Sequence, residues 1–577
     1  MGEAFLSWIR RNQYAAVFYV TLISFFGFCI WRLYGFSIFP DEFGYWAYAA
    51  RAAGYDWSEV VSLCSFYSCG YSLFLFPIFR FCEDAVTAYR IAVALNFVLI
   101  GVAYRILCRV WMRIMPDRRE VCQVCSAVAM FYPAVLFYAQ TTMAETLLMA
   151  GYLCVLLLFE RYLRKQGYLC IILIFAVNFY MYFVHMRTIG IFAVCVGLML
   201  LAEIRKGRDC RKIVLIIIMT LVSLFAAVIL RKYTSDYLYQ NVNLELYEIN
   251  TYSGQLEKIR YIFSRDGIAA FMAGLCGKVL YMGIATCGTA YWGICFLMKR
   301  CLCGICHRKG SDGLMEAFVL LTVLSQIVIS TIYNVIPDSY DSVTFGRYHD
   351  FVMPVLIMAG IVAGIKEITC RAGRSVRCLA VTGALYLVFT AIVLHYVTGL
   401  ELAEMKGYFM TGMCLYEPWE SGVAGFYVAS CLIGILCMCL WGFILFLHKK
   451  SGSRQILYVL AALQLLAALR LGDQYIYPFN RLAREDIRVA REIKREVSII
   501  YVDYNDISAI GLMQFVLRDR PIRVISEEQC IAGEAIDGES VILLGAGDPA
   551  WEELQKKYGN EIIGGHFVLL YNEEAWK

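Results

Sequence analysis

"IFPDEFGYWAYAARAAGYDW", residues 38–57, sets two adjacent carboxylates, Asp41 and Glu42, at the mouth of an apolar helix and follows them with aromatic and small residues. No base stands beside them. The run before them, 14–34, is apolar and long enough to cross a hydrocarbon layer of about 30 Å. The acids therefore sit where a first membrane span ends. Ionisable groups at membrane depth are costly and mark functional sites by default.

The rest of the chain repeats the pattern. Of 577 residues, 60% are hydrophobic and 17% charged, with a mean hydropathy of +0.62. A soluble domain is nearer half apolar and about a quarter charged. About thirteen spans can be read: 14–34, 86–107, 121–139, 143–160, 168–184, 188–203, 213–230, 270–297, 314–335, 350–365, 378–398, 423–447 and 455–471. This is a polytopic α-helical membrane protein. The first span is too long, and too weakly followed by small residues, for a cleaved signal peptide.

Basic residues give the orientation. Arg10 and Arg11 precede the first span, and every second connection is basic: "RILCRVWMRIMPDRRE", "RYLRKQ", "EIRKGRDCRK", "MKRCLCGICHRKG", "KEITCRAGRSVR" and "HKKSGSR". Together these hold 26 Lys and Arg against about ten in the intervening connections, the positive-inside asymmetry. The N-terminus is expected in the cytoplasm and, after an odd number of spans, the C-terminal region outside. The net charge of +5 is mostly this bias and gives no reason to expect nucleic acid as a partner.

The 24 cysteines are scattered through the spans as small apolar side chains; only Cys64 and Cys69, in the first outer connection, stand where they could pair. "CGICH" at 303–307 matches a haem-attachment pattern but lies in a basic connection, so it reads as a juxtamembrane turn. The long outer connections are 35–85, 231–266 and 336–349. In the first, Tyr45, Trp46, Ala49 and Ala53 share one helical side, which suits a helix lying in the membrane interface.

The spans end near 472, and 473–577 changes character. "SIIYVDY", "PIRVIS", "SVILLGA" and "HFVLLYN" read as short strands, alternating with the helix-like "SAIGLMQFVLRDR" and "DPAWEELQKKYGN". That predicts a small extracytoplasmic α/β domain with a mostly parallel sheet. "GAGDP" lacks the third glycine of a dinucleotide fingerprint, so no cofactor is expected there.

On this topology several ionisable groups reach the outer side: Asp41 and Glu42 after the first span, Glu145 opening the fourth, His185 and Arg187 before the sixth, Lys278 in the eighth, and Arg347 with His349 before the tenth. Acids and bases from distant sequence then meet, as a site for an anionic, membrane-embedded substrate requires. Each has a plainer alternative. Asp41 can be an N-cap, Glu145 a structural partner of Arg187, the cations snorkelling side chains, and the histidines ordinary interfacial ones.

The Asp-Glu pair after the first span, followed by Tyr and Ala, resembles the first outer loop of the GT-C membrane glycosyltransferases, in the branch of protein mannosyltransferases and aminoarabinose transferases. "YSCGYSLFLFP", "YPAVLFYAQTTMAE", "HMRTIG" and "GRYHDFVMP" are similar to that branch too, although Ser72 stands where proline is commoner. The likeness covers most of 10–450 and leaves out the tail. It implies transfer of a sugar from a polyprenyl phosphate to a hydroxyl of a glycan, lipid or protein on the outer face of the cell membrane. Asp41 would be the general base, with Glu42 and Glu145 as further catalytic acids. Arg187, Lys278, Arg347 and His349 would contact the donor phosphate. A divalent metal, if the family's chemistry needs one here, would take Asp41, Glu42 and Glu145 as ligands.

The chief alternative is a transporter or lipid flippase, which would spread such charges through the bilayer midplane and show related halves. No such halves are visible. A polysaccharide polymerase or ligase on another fold, and a non-catalytic scaffold, are the remaining readings.

Overall fold

The computed structural model describes residues 2–63, 68–115, 118–165, 167–205, 207, 209–240, 254–306, 313–368, 372–413, 422–493, 497–502, 507–526, 529, 540–548 and 551–572. Cys64 and His307, and so the possible Cys64–Cys69 pair and the end of "CGICH", lie outside them.

Among the described residues ten helices are long and apolar enough to cross a membrane, and two bent pairs bring the number to twelve. Those pairs are Arg119–Met130 with Pro133–Ala139, bent by 61°, and Tyr340–Asp350 with Met353–Lys366, bent by 81°. Tyr168–Val184, a helix of 17 residues, is the remaining one of the thirteen expected spans. The expected span 270–297 contains a break: Cys287 and Gly288 take φ of 50° and 80° between the helices Arg265–Ala285 and Thr289–Cys306. The chain is an integral membrane protein. Glu145–Lys165 lies near the centre, with 67% of its apolar window buried, whereas only 6% of that of Cys210–Leu238 is covered, so the latter faces lipid.

The helix Asp41–Ala52 departs from the sequence reading. Its residues from Glu42 to Ala50 are all buried inside the protein, not laid against headgroups. The helix Ser72–Phe81 covers it, tied on by the Ser72 hydroxyl, which donates to the Tyr45 carbonyl at 2.5 Å. The residue that replaces the commoner proline thus supplies a hydrogen bond.

The last long helix does not stop at residue 472. Leu457–Leu471 runs through a π-turn at Gly472–Ile476 into Tyr477–Glu492. Five strands follow: β1 (Ile499–Val502), β2 (Ile522–Ile525), β3 (Val541–Gly545), β4 (Asn560–Ile563) and β5 (Phe567–Tyr571), in the order β2-β1-β3-β5-β4. β1 pairs in parallel with β2 and β3, but β5 runs antiparallel to both β3 and β4. The expectation of a mostly parallel sheet is thus corrected to a mixed one. β4, "NEII", is a short edge strand with two polar residues, which gives no apolar alternation to read.

The sheet region packs on the first connection. Phe515 stacks on Phe36 and tilts against Trp46, each at 4.8 Å between ring centres. Trp57 Nε1 donates to the Arg518 carbonyl at 2.9 Å.

Candidate functional site

Four segments converge at one end of the bundle. Asp41 opens its helix directly after Pro40, which occupies the N-cap position with a helical φ of −62°. Asp41 is therefore not a capping residue. Acids in a first turn are still favoured by the helix dipole, and Glu145 has the same placement at the start of Glu145–Lys165. Arg187 lies in the 3₁₀ turn Met186–Thr188, whose start is fixed by the His185 ring: Nδ1 accepts from the Arg187 amide at 3.3 Å. Arg347 opens the one-turn helix Arg347–Asp350 after Gly346, a position where any Cβ would strike the Tyr281 ring.

These side chains form one chain of charge. Arg347 bridges the two acids, its Nη2 pairing with Asp41 and its Nε donating to Glu145 Oε1 at 2.9 Å. The same Glu145 oxygen accepts from Arg187 Nη2 at 3.1 Å. Arg347, Glu145 and Arg187 are only 5%, 3% and 4% exposed, which rules out snorkelling, while the Asp41 side chain keeps 23% of its surface open. The Arg187 guanidinium lies over the Tyr348 ring at 4.6 Å and that of Arg347 over Phe39 at 5.4 Å. Aromatic faces can hold a guanidinium in place while leaving its edge free. Arg187 uses only Nη2; its buried Nε and Nη1 have no partner among the described residues.

The other expected residues are placed differently. Glu42 points away from this cluster, with Oε1 accepting from the Ser37 amide and hydroxyl at 2.7 and 2.5 Å. Its Oε2 accepts from the Tyr89 hydroxyl at 2.9 Å and from the Thr142 amide and hydroxyl at 2.6 and 2.7 Å. Burial pushes its carboxyl up from the ordinary range, and the hydrogen bonds from Ser37 and Thr142 pull the other way. Lys278 is buried below the loop that carries Arg347, donating to the carbonyls of Ser342 and Val343 at 3.1 and 3.3 Å. His349 turns to the Tyr281 ring, 5.4 Å between centres, and neither ring nitrogen has a partner among the described residues.

A divalent cation does not fit this arrangement. Glu42 is fully engaged elsewhere, and the Arg347 guanidinium stands between the oxygens of Asp41 and Glu145. Among the described residues no three His, Cys, Asp or Glu side chains gather as a metal site.

One acid was passed over in the sequence. Asp350, 1% exposed, accepts from the Tyr132 hydroxyl at 2.8 Å and the Tyr281 hydroxyl at 3.0 Å. With Glu145 it lines a void of about 10 Å³, room for roughly one water. Its signal was the carboxylate of "GRYHDF", beside the arginine and histidine already chosen.

The cluster lies at the end of the bundle away from the basic connections, since Glu145–Lys165 starts at the site and ends in Arg164 and Lys165. Spans, bent pairs and C-terminal sheet together define a polytopic membrane protein with a GT-C-like fold. Over nearly its whole length it is similar to two crystal structures of ArnT from Cupriavidus metallidurans, each at a TM-score of 0.51. One, in the apo state, is 14% identical and covers 98% of this chain; the other, bound to undecaprenyl phosphate, is 11% identical and covers 97%; 98% of each of those chains is matched. No protein-family model matches the sequence, and no curated protein matches it.

Proposed function

We propose that this protein is a membrane glycosyltransferase that moves a sugar from a polyprenyl phosphate to an acceptor hydroxyl on the outer face of the membrane. The observation that carries the reading is Arg187: a buried guanidinium with two undirected donors, next to a second arginine, at the end of a membrane bundle. A phosphate is the natural acceptor for such a fork. The ArnT structure bound to undecaprenyl phosphate supports the lipid carrier. Gathering of the charges at one end, not along the midplane, supports an enzyme over a transporter.

In the mechanism Arg187 receives the donor phosphate through Nε and Nη1. Arg347 is held by Asp41 and Glu145, and the arriving phosphate competes for it. When Arg347 turns to the phosphate, Asp41 is released. Its partly open carboxylate then takes the proton of the acceptor hydroxyl as that oxygen attacks the anomeric carbon and the sugar–phosphate bond breaks. The two guanidiniums stabilise the charge left on the departing lipid phosphate. Glu145 keeps both arginines in register throughout. Lys278 and His349 lie one layer behind, next to the loop that presents Arg347, and act on its position.

Purified protein given radiolabelled polyprenyl-phosphate sugars should release free lipid phosphate when an acceptor is present. No release with any such donor, from folded protein, would refute the assignment.

A further inference from the structure

At the opposite end of the bundle lies a second cavity of about 590 Å³, whose lining includes Arg118, Arg119, Glu120, Lys449 and Arg454. That volume is within the roughly 300–1,000 Å³ of small-molecule sites. Four cations face one carboxylate. Glu120 is already paired with Arg454, and Arg119 donates to Asn12 Oδ1 at 2.8 Å. Arg118 and Lys449 have no ion-pair partner among the described residues. His448 is committed, its Nδ1 lying 2.8 Å from the Ser453 carbonyl. Asp117, next to Arg118 in sequence, is outside the described residues.

A general excess of basic residues on one side of a membrane protein only requires charge near the headgroups. It does not require two separate basic connections, 105–120 and 448–454, to close with the end of the helix Met353–Lys366 around one hollow, as they do here. Two of the walls are the far halves of the bent spans: Arg119–Met130 leads to Tyr132, and Met353–Lys366 starts beside Asp350. The cavity thus sits on the same two elements that reach the candidate site. It lies among the basic ends of the spans, which the positive-inside asymmetry sets beside the headgroups with their phosphate diesters, and Val121 and Ile365 give it an apolar side.

We infer that this cavity binds the phosphate headgroup of an anionic membrane lipid. Arg118 and Lys449 are the direct contacts, and Arg119 and Arg454 are held in place by Asn12 and Glu120.

The test is native mass spectrometry of the full-length protein, titrated in detergent with phosphatidylglycerol or phosphatidylcholine. The expected result is selective retention of phosphatidylglycerol. Arg118→Gln with Lys449→Gln should weaken it about 30-fold, near fivefold for each cation. Arg164→Gln with Lys165→Gln, an equal charge loss in another basic connection, should leave it unchanged. Equal retention of both lipids, an unaffected cavity variant, or an equally affected control variant would each overturn the site. So would displacement of the lipid by millimolar inorganic phosphate, which would make it a site for free anions.

Discussion

Substituting Glu42 by glutamine separates the neighbouring acids by what they do. Each Glu42 oxygen accepts from a backbone N–H whose direction is fixed, Ser37 on one side and Thr142 on the other. A glutamine can offer an oxygen to only one of them. Its –NH₂ then faces the other amide, a donor against a donor, in a position with no access to water. A buried donor left without an acceptor costs about 1–3 kcal/mol. The hydroxyls of Ser37, Tyr89 and Thr142 can rotate, but at least one loses its acceptor, and the total comes to about 2–4 kcal/mol. These bonds join the residues before the helix to Ala85–Ile114 and to the turn at 140–144. The damage should therefore appear as lost thermal stability in detergent, with turnover per folded molecule nearly kept. The measurement is the melting temperature at a fixed heating rate, beside Glu83→Gln, the same exchange at an exposed position. A Glu42→Gln melting temperature equal to that of the Glu83→Gln control would refute the reasoning.

Asp41→Asn should show the reverse. It keeps an oxygen for Arg347 but removes the base, and turnover should fall roughly 10²- to 10⁴-fold at unchanged stability; near-normal turnover would move the base to another acid. Arg187→Lys preserves a positive charge beside Glu145 yet its single nitrogen cannot present a planar two-nitrogen fork to the phosphate. Losing one charge-assisted hydrogen bond, roughly 1.5–3 kcal/mol, should raise the KM for the lipid donor about 10- to 150-fold, and an unchanged KM would remove Arg187 from the phosphate site. Asp84 caps the helix Ala85–Ile114 and pairs with Arg491. Burial pushes its carboxyl up, but the Thr87 hydroxyl and amide and the Arg491 charge outweigh it, and it lies below its usual 3.8. This contact is complete above that value and is lost as pH falls through the lower folded one. It is half exposed and worth under about 1 kcal/mol, so proteolysis of the tail should quicken only slightly below about pH 4; quickening between about pH 5 and pH 7 would assign it elsewhere. Finally, a membrane-impermeant maleimide should reach the exposed Cys303 only from the cytoplasm and a Lys556→Cys variant only from outside; the opposite pattern would invert the orientation argument.

The spans could be read because lipid imposes long apolar runs, and the breaks within them could not. Neither bend, at Phe131–Tyr132 or at Phe351–Val352, interrupts hydrophobicity, so an apolar run reads straight through it; its mark is a proline, Pro133 or Pro354, in the first turn of the helix that follows. Asp41, Glu145, Arg187 and Arg347 stood out as charges in apolar surroundings, and that same rarity brings them together. Glu42 stood out equally, but its donors come from residues 37, 89 and 142, and only the folded chain shows that it faces them. Its helix misled for a related reason. Tyr45, Trp46 and Ala49 form an apolar face whether membrane or protein covers it, and what covers Trp46 includes Phe515, far along the chain.

That late contact has a consequence in time. Gly511 meets the Phe43 side chain so closely that an added Cβ would lie 2.8 Å from its Cβ, and Leu512 fills the space beside Gly35. The helix that carries Asp41 leaves the ribosome long before the surface against which it rests. Until residues 507–516 have been made, Phe36, Phe43 and Trp46 have nothing on one side. A chain released early therefore leaves that face of the helix carrying Asp41 uncovered.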